Sequence, residues 1–414
     1  MSLTQEQQKA YADAKARKNV FITGSGGVGK SHLIKEIINT IEDMTVTAST
    51  GVAAVSIQGR TLNSTLYMGL AEGTKEEIWQ GIKKKFYLVK KLKKIKRLII
   101  DEISMIDAEL FDKVEYILRQ AKNPNKMFGG CQILISGDLC QIPPVQKIGE
   151  TKKLVIESES YKNGNFTVHY LREIQRQKDK SLIENLQKVR LGEVDQDVID
   201  FFAPRVGINP PAELAYTRLE SHNRNVDKIN EQKLSEIDSP IVTTKRTEWG
   251  DETPLKALRN GCPVPENLKL KIGCVVVCLA NVFPEEGVVN GSVGRVKSFE
   301  GGLPVVRFNN GFETLISWRE WETKEWRDGE QITIAGVRQV PLKLAWAMSI
   351  HKVQSQTLSH VSMNLSNCFE RGQSYTALSR IKCLSGCYIS SIDWDNVITD
   401  PVAVEFYKNL EKQK

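Results

Sequence analysis

The chain has 414 residues, of which 41% are hydrophobic and 26% charged, and a net charge of +7. This is ordinary composition for a soluble globular protein of two to four domains, and the mild positive balance hints at a polyanionic partner. No apolar run reaches 18 residues, which argues against a membrane-spanning helix, and the first twenty residues lack the apolar core of a secretion signal, so an intracellular protein is expected. Eight cysteines are scattered without a C-x-x-C pair or a histidine cluster, and they read as reduced, mostly buried thiols rather than a zinc site.

From the N-terminus, Asn19–Thr23 is a short apolar strand that enters a glycine-rich turn, and the text after it has helical apolar spacing. Residues 45–48, 97–101 and 132–136 read as further strands, with helical text between them. This alternation predicts a parallel sheet covered by helices. The basic run Lys83–Arg97 reads first as a solvated helix face and second as a contact for nucleic-acid phosphates. A second alternating region begins near Leu171, with a strand expected at 212–217. Between about Leu268 and Val340 the text turns to short strands, with hairpin signals at Asn290-Gly291 and Asn310-Gly311. A small β-barrel inserted into a second α/β domain is expected there.

The stretch Gly24, Ser25, Gly26, Gly27, Val28, Gly29, Lys30, Ser31 matches G-x-x-x-x-G-K-[ST] between a strand and a helix. Its glycines let N–H groups curl around phosphate oxygens, Lys30 reaches the terminal phosphates, and Ser31 holds Mg²⁺. Asp101 ends a buried strand and is a second candidate for Mg²⁺, and Glu102 beside it is the candidate to polarise an attacking water. No N-K-x-D guanine signature is present, so ATP is the expected nucleotide. Gln141, in G-D-x-x-Q-x-P-P, offers a neutral amide to a terminal phosphate, and Pro143-Pro144 stiffens the exit from it.

The run from Leu98 to Val145 resembles the core of the Pif1-like helicases of superfamily 1B, and the resemblance continues almost end to end. It implies two RecA-like P-loop domains with parallel sheets and an inserted SH3-like small β-barrel. By it, residues 1–170 form the first domain, with a wedge near 65–95. Residues 171–262 and 341–414 form the second, and 263–340 the insertion. Gln7 in "LTQEQ" corresponds to the adenine-reading residue, and Arg176 in "LREIQRQ" to a catalytic arginine. The segments holding Ser49, Thr50, Thr61 and Asn63, and those holding His222, Asn223, His351 and Lys352, correspond to strand-contacting motifs. Asn63 stands where the family carries His, and Ser355 where it carries Gly. In "GQSYTALSRIK", Gln373 and Arg380 are seven apart, so a helix would set both on one face and project Arg380 as an arginine finger.

The implied activity is ATP-dependent, 5′-to-3′ movement on single-stranded DNA with unwinding of duplex, in replication, repair, recombination or telomere maintenance. Single-stranded and forked DNA are the expected partners, with the protein a monomer in isolation; G-quadruplexes stay open as substrates. A translocase that remodels protein–DNA complexes is the first alternative, and a nucleotide-gated binding module the second.

Overall fold

The computed structural model describes residues 3–144, 152–211, 214–221, 226–327, 330–354 and 356–412. Strands β1 (Asn19–Thr23), β2 (Met44–Ala48), β3 (Arg60–Thr61), β4 (Arg97–Asp101), β5 (Gln132–Gly137) and β6 (Phe166–Tyr170) form one sheet in the order β3-β2-β4-β5-β1-β6. All its pairings are parallel. Successive side chains of a strand point to opposite faces, and both faces here are covered. Val20, Ile22, Ile99 and Leu134 enter the core beneath α1 (Gln5–Lys15), α2 (Lys30–Thr40) and α3 (Gly51–Ser56). Their neighbours Phe21, Leu98, Ile100, Ile133 and Ile135 enter the core on the other side. That side is closed by α4 (Leu62–Thr65), α5 (Lys75–Lys83), α6 (Phe86–Lys94), α7 (Ala108–Ala121) and α8 (Glu159–Asn163). Covering on both faces is why these strands read as unbroken apolar runs.

After α9 (Lys180–Arg190) and α10 (Gln196–Phe202) the chain starts a second sheet at β7 (Thr217–Glu220), followed by α11 (Val226–Ser235). The strand expected at 212–217 therefore begins where that range ends. A set of antiparallel strands follows: β8 (Val242–Lys245), β9 (Thr247–Gly250), β10 (Asn267–Leu270), β11 (Val275–Cys278), β12 (Val293–Glu300), β13 (Leu303–Phe308), β14 (Glu313–Leu315), β15 (Arg319–Arg327), β16 (Glu330–Gln339) and β17 (Leu342–Leu344). They pair as β10-β8, as β14-β13-β12-β11-β17 and as β15-β16-β9. Val276, Val296, Val306, Phe308 and Leu342 centre their own core. Asn310-Gly311 turns β13 into β14, but Asn290-Gly291 makes no tight hairpin. It closes the long 279–292 connection, where the Gly291 N–H donates to Cys278 O. Helix α12 (Glu252–Gly261) docks this unit on α3. Gly51 and Gly261 meet backbone to backbone, a spacing that a Cβ on either would prevent.

The second sheet then resumes with β18 (Ala347–Ser349), β19 (Val361–Leu365) and β20 (Cys387–Ile392), parallel in the order β18-β7-β19-β20. The fold is thus α/β, with two parallel sheets and an antiparallel unit inserted between strands of the second. Helix α13 (Gln373–Leu378) joins β19 to β20, and α14 (Pro401–Lys412) follows the last strand. Helix α14 follows the second sheet in sequence but packs on the first. Phe406 stacks on Phe21 at 5.9 Å, and the Tyr407 hydroxyl meets Thr23 Oγ1 at 2.6 Å.

Candidate active site

The loop from Gly24 to Ser31 joins β1 to α2. Helix α2 has no side-chain cap; its N-cap is Gly29, at φ +83°, in the left-handed region that favours glycine. The amides of its first turn are therefore free of a side-chain competitor, as an anion site requires. A Cβ on Gly29 would lie 2.6 Å from Gln7 Nε2. Gln7 itself is buried: Nε2 donates to Val28 O and Gly29 O, both at 3.4 Å, while Oε1 accepts from Thr4 N. It thus buttresses the loop and caps α1 at once.

Lys30 Nζ donates to Gly24 O at 2.7 Å and Ser25 O at 2.9 Å. Burial pulls its ammonium down to about 8, against the opposing pull of Asp138 and Glu102. Asp101 ends β4 and is pushed up to about 7, first by burial and then by the charge of Glu102. Glu102 has left the strand, at φ +54°. Its Oε2 accepts from Gln354 Nε2 at 3.0 Å, and the same Nε2 donates to Gln141 Oε1 at 3.2 Å. Gln354 follows the short turn after β18, so one amide ties the candidate base and the candidate phosphate sensor to the second sheet.

Arg176 and Arg380 converge on the loop from segments beyond the first sheet. The position that a Cβ on Gly26 would take lies 3.1 Å from Arg380 Nη2 and 3.4 Å from Arg176 Nη1. Arg176 donates to Thr357 Oγ1 at 2.9 Å and Ser379 O at 2.8 Å. Arg380 donates to Thr376 O at 2.9 Å and Ser379 Oγ at 2.7 Å. Desolvation, then the charge of Arg380, pulls Arg176 down to about 9, and desolvation lowers Arg380 as well. Two desolvated guanidinium groups held side by side are unfavourable until an anion joins them. The route to Arg380 differs from the expected one. Helix α13 ends at Leu378, so Gln373 and Arg380 do not share two helical turns. The chain leaves the helix because the Arg380 carbonyl pairs with Leu358 N at 2.8 Å.

Beneath the loop lies a polar cluster that the motif reading did not single out. Asp138 and Arg190 are buried at 0% and 1% exposure, and Arg190 Nε and Nη2 donate to the carboxylate at 2.9–3.2 Å. The Tyr375 hydroxyl donates to Asp138 Oδ2 at 3.2 Å and accepts from Gly26 N at 2.9 Å. Arg190 stacks over the Tyr407 ring at 3.9 Å, and Tyr407 Oη accepts from Leu139 N. Asp138 and Tyr375 sit inside stretches already quoted as motifs, and Gln354 lies between Lys352 and Ser355, in a segment already named. Arg190 and Tyr407 sit in ordinary amphipathic helices and carry no sequence signal of their role.

The candidate strand contacts fall in two groups. Thr50 caps α3 and Thr61 caps α4, accepting from Ala53 N and Ser64 N. Ser49 Oγ is buried with no hydrogen-bond partner among the described residues, and Asn63 is half-buried and lines a cleft. His351 is half-buried, with Nε2 3.3 Å from Glu370 Oε2. His222, Asn223 and Ser355 lie outside the described residues, as does the side chain of Lys352.

The family model for PIF1-like helicase matches residues 2–198, and that for the DNA helicase Pif1 2B domain matches residues 255–299. The ATP-dependent DNA helicase Pif1 of Bdellovibrio bacteriovorus is 34% identical over 99% of this chain and 93% of its own. The ATP-dependent DNA helicase PIF1 of Homo sapiens is 36% identical over 99% of this chain, which spans only 64% of that relative's length. A crystal structure of Bacteroides sp Pif1 in complex with ADP-AlF4 superposes with a TM-score of 0.85 at 29% identity, covering 100% of this chain and 98% of the other. This chain belongs to the PIF1-like helicase family.

Proposed function

We propose that the chain is an ATP-driven DNA helicase that moves 5′ to 3′ along a single strand and opens duplex ahead of it. The observation that carries this reading is the convergence of Arg176 and Arg380 on Gly26, in the same loop whose carbonyls hold Lys30. A binding module needs no pair of arginines beside the loop lysine, whereas hydrolysis gains from them, because charge builds at the terminal phosphate in the transition state.

In this reading Gly24–Ser31 cradles the triphosphate, and Gln7 would exchange its contacts to Val28 O, Gly29 O and Thr4 N for the adenine edge. Lys30 exchanges its loop carbonyls for phosphate oxygens. Ser31 and Asp101 fit Mg²⁺: burial and the neighbouring Glu102 charge raise the Asp101 carboxyl, and a divalent cation would favour its carboxylate form, while the ion itself would neutralise phosphate charge. Glu102 orients the attacking water and Gln141 reports the terminal phosphate. Arg176 and Arg380 hold the two lobes closed while that phosphate is attached, and hydrolysis releases them. Ser49, Thr50, Thr61 and Asn63 grip the strand from the first lobe; His222, Asn223, His351 and Lys352 do so from the second. Polar contacts of this kind go to phosphate and sugar, so the grip tolerates any sequence. Separating one base-pair step costs about 1.4 kcal/mol in stacking, a modest load for one turnover.

ATP turnover by the purified chain should rise sharply with single-stranded DNA, and a duplex with a 5′ tail should be unwound where its 3′-tailed counterpart is not. Turnover indifferent to both DNA and RNA refutes the proposal. Stimulated turnover with neither duplex opened would reduce it to a translocase.

A further inference from the structure

The positive charge of this chain is concentrated in one place. Residues 78–97 contain eight lysines and one arginine and no acid, nine cations in a chain of net charge +7, so the remainder is net negative. The structure folds this segment into the α5–α6 hairpin. Trp79, Ile82, Leu88, Leu92 and Ile95 point into the core. Lys83, Lys84, Lys85, Lys90, Lys91, Lys93 and Lys94 are all exposed. Among the described residues, Lys96 alone of the eight lysines has a carboxylate partner, Asp43 at 2.9 Å. Tyr87, Lys90, Lys91 and Lys94 recur at helical spacing on one face of α6. Like charges placed so close repel, which favours an anion arriving to separate them.

Two aromatic rings stand among these lysines. Phe86 is 79% exposed and Tyr87 59%. Tyr87 also lines a cleft of about 310 Å³ with Asn63, Tyr67, Lys85 and Lys91. Aromatic faces interleaved with cations are the chemistry that binds unpaired bases and their phosphates. An anionic membrane would need an apolar helix face to enter lipid, and the apolar face of α6 is already spent on the core. A duplex would offer phosphates but no base faces to the rings. The cleft also opens beside Asn63, so the surface continues the proposed strand path rather than standing alone.

We propose that the α5–α6 hairpin is a second binding surface for single-stranded nucleic acid, in which bases stack on Phe86 and Tyr87 and the lysines track the phosphates. The inference rests on the proposed function for the position of the neighbouring strand path, but not for its own chemistry.

The test is equilibrium binding of fluorescent oligothymidylates of about 8 and about 16 nucleotides, lengths within the range of single-strand sites. It compares the wild-type chain with Phe86→Ala/Tyr87→Ala and with Lys85→Gln/Lys90→Gln/Lys91→Gln. All five side chains are exposed, and circular dichroism confirms the fold of each variant. The long oligomer should bind about tenfold or more weakly to the aromatic variant. For the lysine variant the slope of log affinity against log salt should fall by about two. The short oligomer should bind all three chains alike. Unchanged long-oligomer affinity in both variants overturns the proposal. So does a loss confined to the lysine variant with duplex competing as well as single strand, which means phosphate tracking alone. Binding of phosphatidylserine vesicles or a poly-glutamate peptide with no response to oligomer overturns it too. If instead wild-type ATP turnover ignores DNA while the aromatic variant still loses long-oligomer binding, the proposed function fails and the hairpin site stands.

Discussion

Replacing Arg190 by Met tests whether the buried ion pair under the nucleotide loop holds this region together. The Asp138 carboxylate is fully buried and accepts from Arg190 Nε and Nη2, from Tyr375 Oη and from Cys140 N. Without the guanidinium it keeps two neutral donors and no cation in hydrogen-bond contact. Leaving one partner of a buried pair uncompensated costs about 3–5 kcal/mol. The lost stacking on Tyr407 at 3.9 Å is part of the same event and is not added to it. Against a total stability of about 5–15 kcal/mol the loss is large. Urea unfolding followed by tryptophan fluorescence should show it as an earlier transition. Pairing Arg190→Met with Asp138→Leu should recover most of the loss, because two apolar side chains replace both charges. Acid supplies an internal control. Burial alone would raise the Asp138 carboxyl, but the charge and hydrogen bonds of Arg190, helped by Lys30, hold it below the usual 3.8. A depressed carboxylate stabilises the fold above its unfolded value, and that contribution drains away as pH falls through the folded one. The gap between wild type and Arg190→Met should therefore be widest near neutrality and narrow below about pH 4. A single variant costing under about 1 kcal/mol, or a double variant no better than the single, would show that the pair is not what secures the loop.

Other perturbations follow from the same geometry. Arg380→Ala should lower kcat for ATP by about 10³-fold or more while shifting nucleotide affinity far less, read by steady-state turnover and by equilibrium binding of a fluorescent nucleotide. Lys30→Ala should abolish hydrolysis but leave strand binding within severalfold in an anisotropy titration. Gln354→Ala frees Glu102 Oε2 and Gln141 Oε1 from their shared donor, so ATP turnover without DNA should rise and the ratio of stimulated to basal turnover should fall; an unchanged ratio would mean that the bridge couples nothing. Strand affinity should decline steeply and linearly on a log–log plot against salt, and a flat response would contradict a phosphate-tracking path.

The features legible in the sequence were those whose chemistry is local. A strand that is apolar throughout, followed by G-x-x-x-x-G-K-[ST], fixes a strand, a turn and a helix in a few residues, and β1, the loop and α2 lie where that reading put them. What escaped it depends on pairing between distant residues. Arg380 looked like the end of a two-turn helix, because nothing in its neighbourhood reveals that its carbonyl is claimed by Leu358 N. Asn290-Gly291 has the composition of a tight hairpin, yet the chain uses it to close a long connection onto Cys278. Arg190 and Tyr407 are 217 positions apart in numbering and unremarkable in context, and only the tertiary fold brings them together over Asp138.

The placement of α14 restricts how the molecule can open. Crossing back from the second sheet, the segment Pro401–Lys412 pins itself to Phe21, Thr23 and Leu139 at the floor of the first. The jaws are therefore fastened at their root by a return strap as well as by the covalent passage near Leu171. Gaping apart would tear the strap from its seat, whereas swivelling about it leaves those contacts whole, so any travel of one sheet against the other is a pivot with its axle beside the loop that holds Lys30.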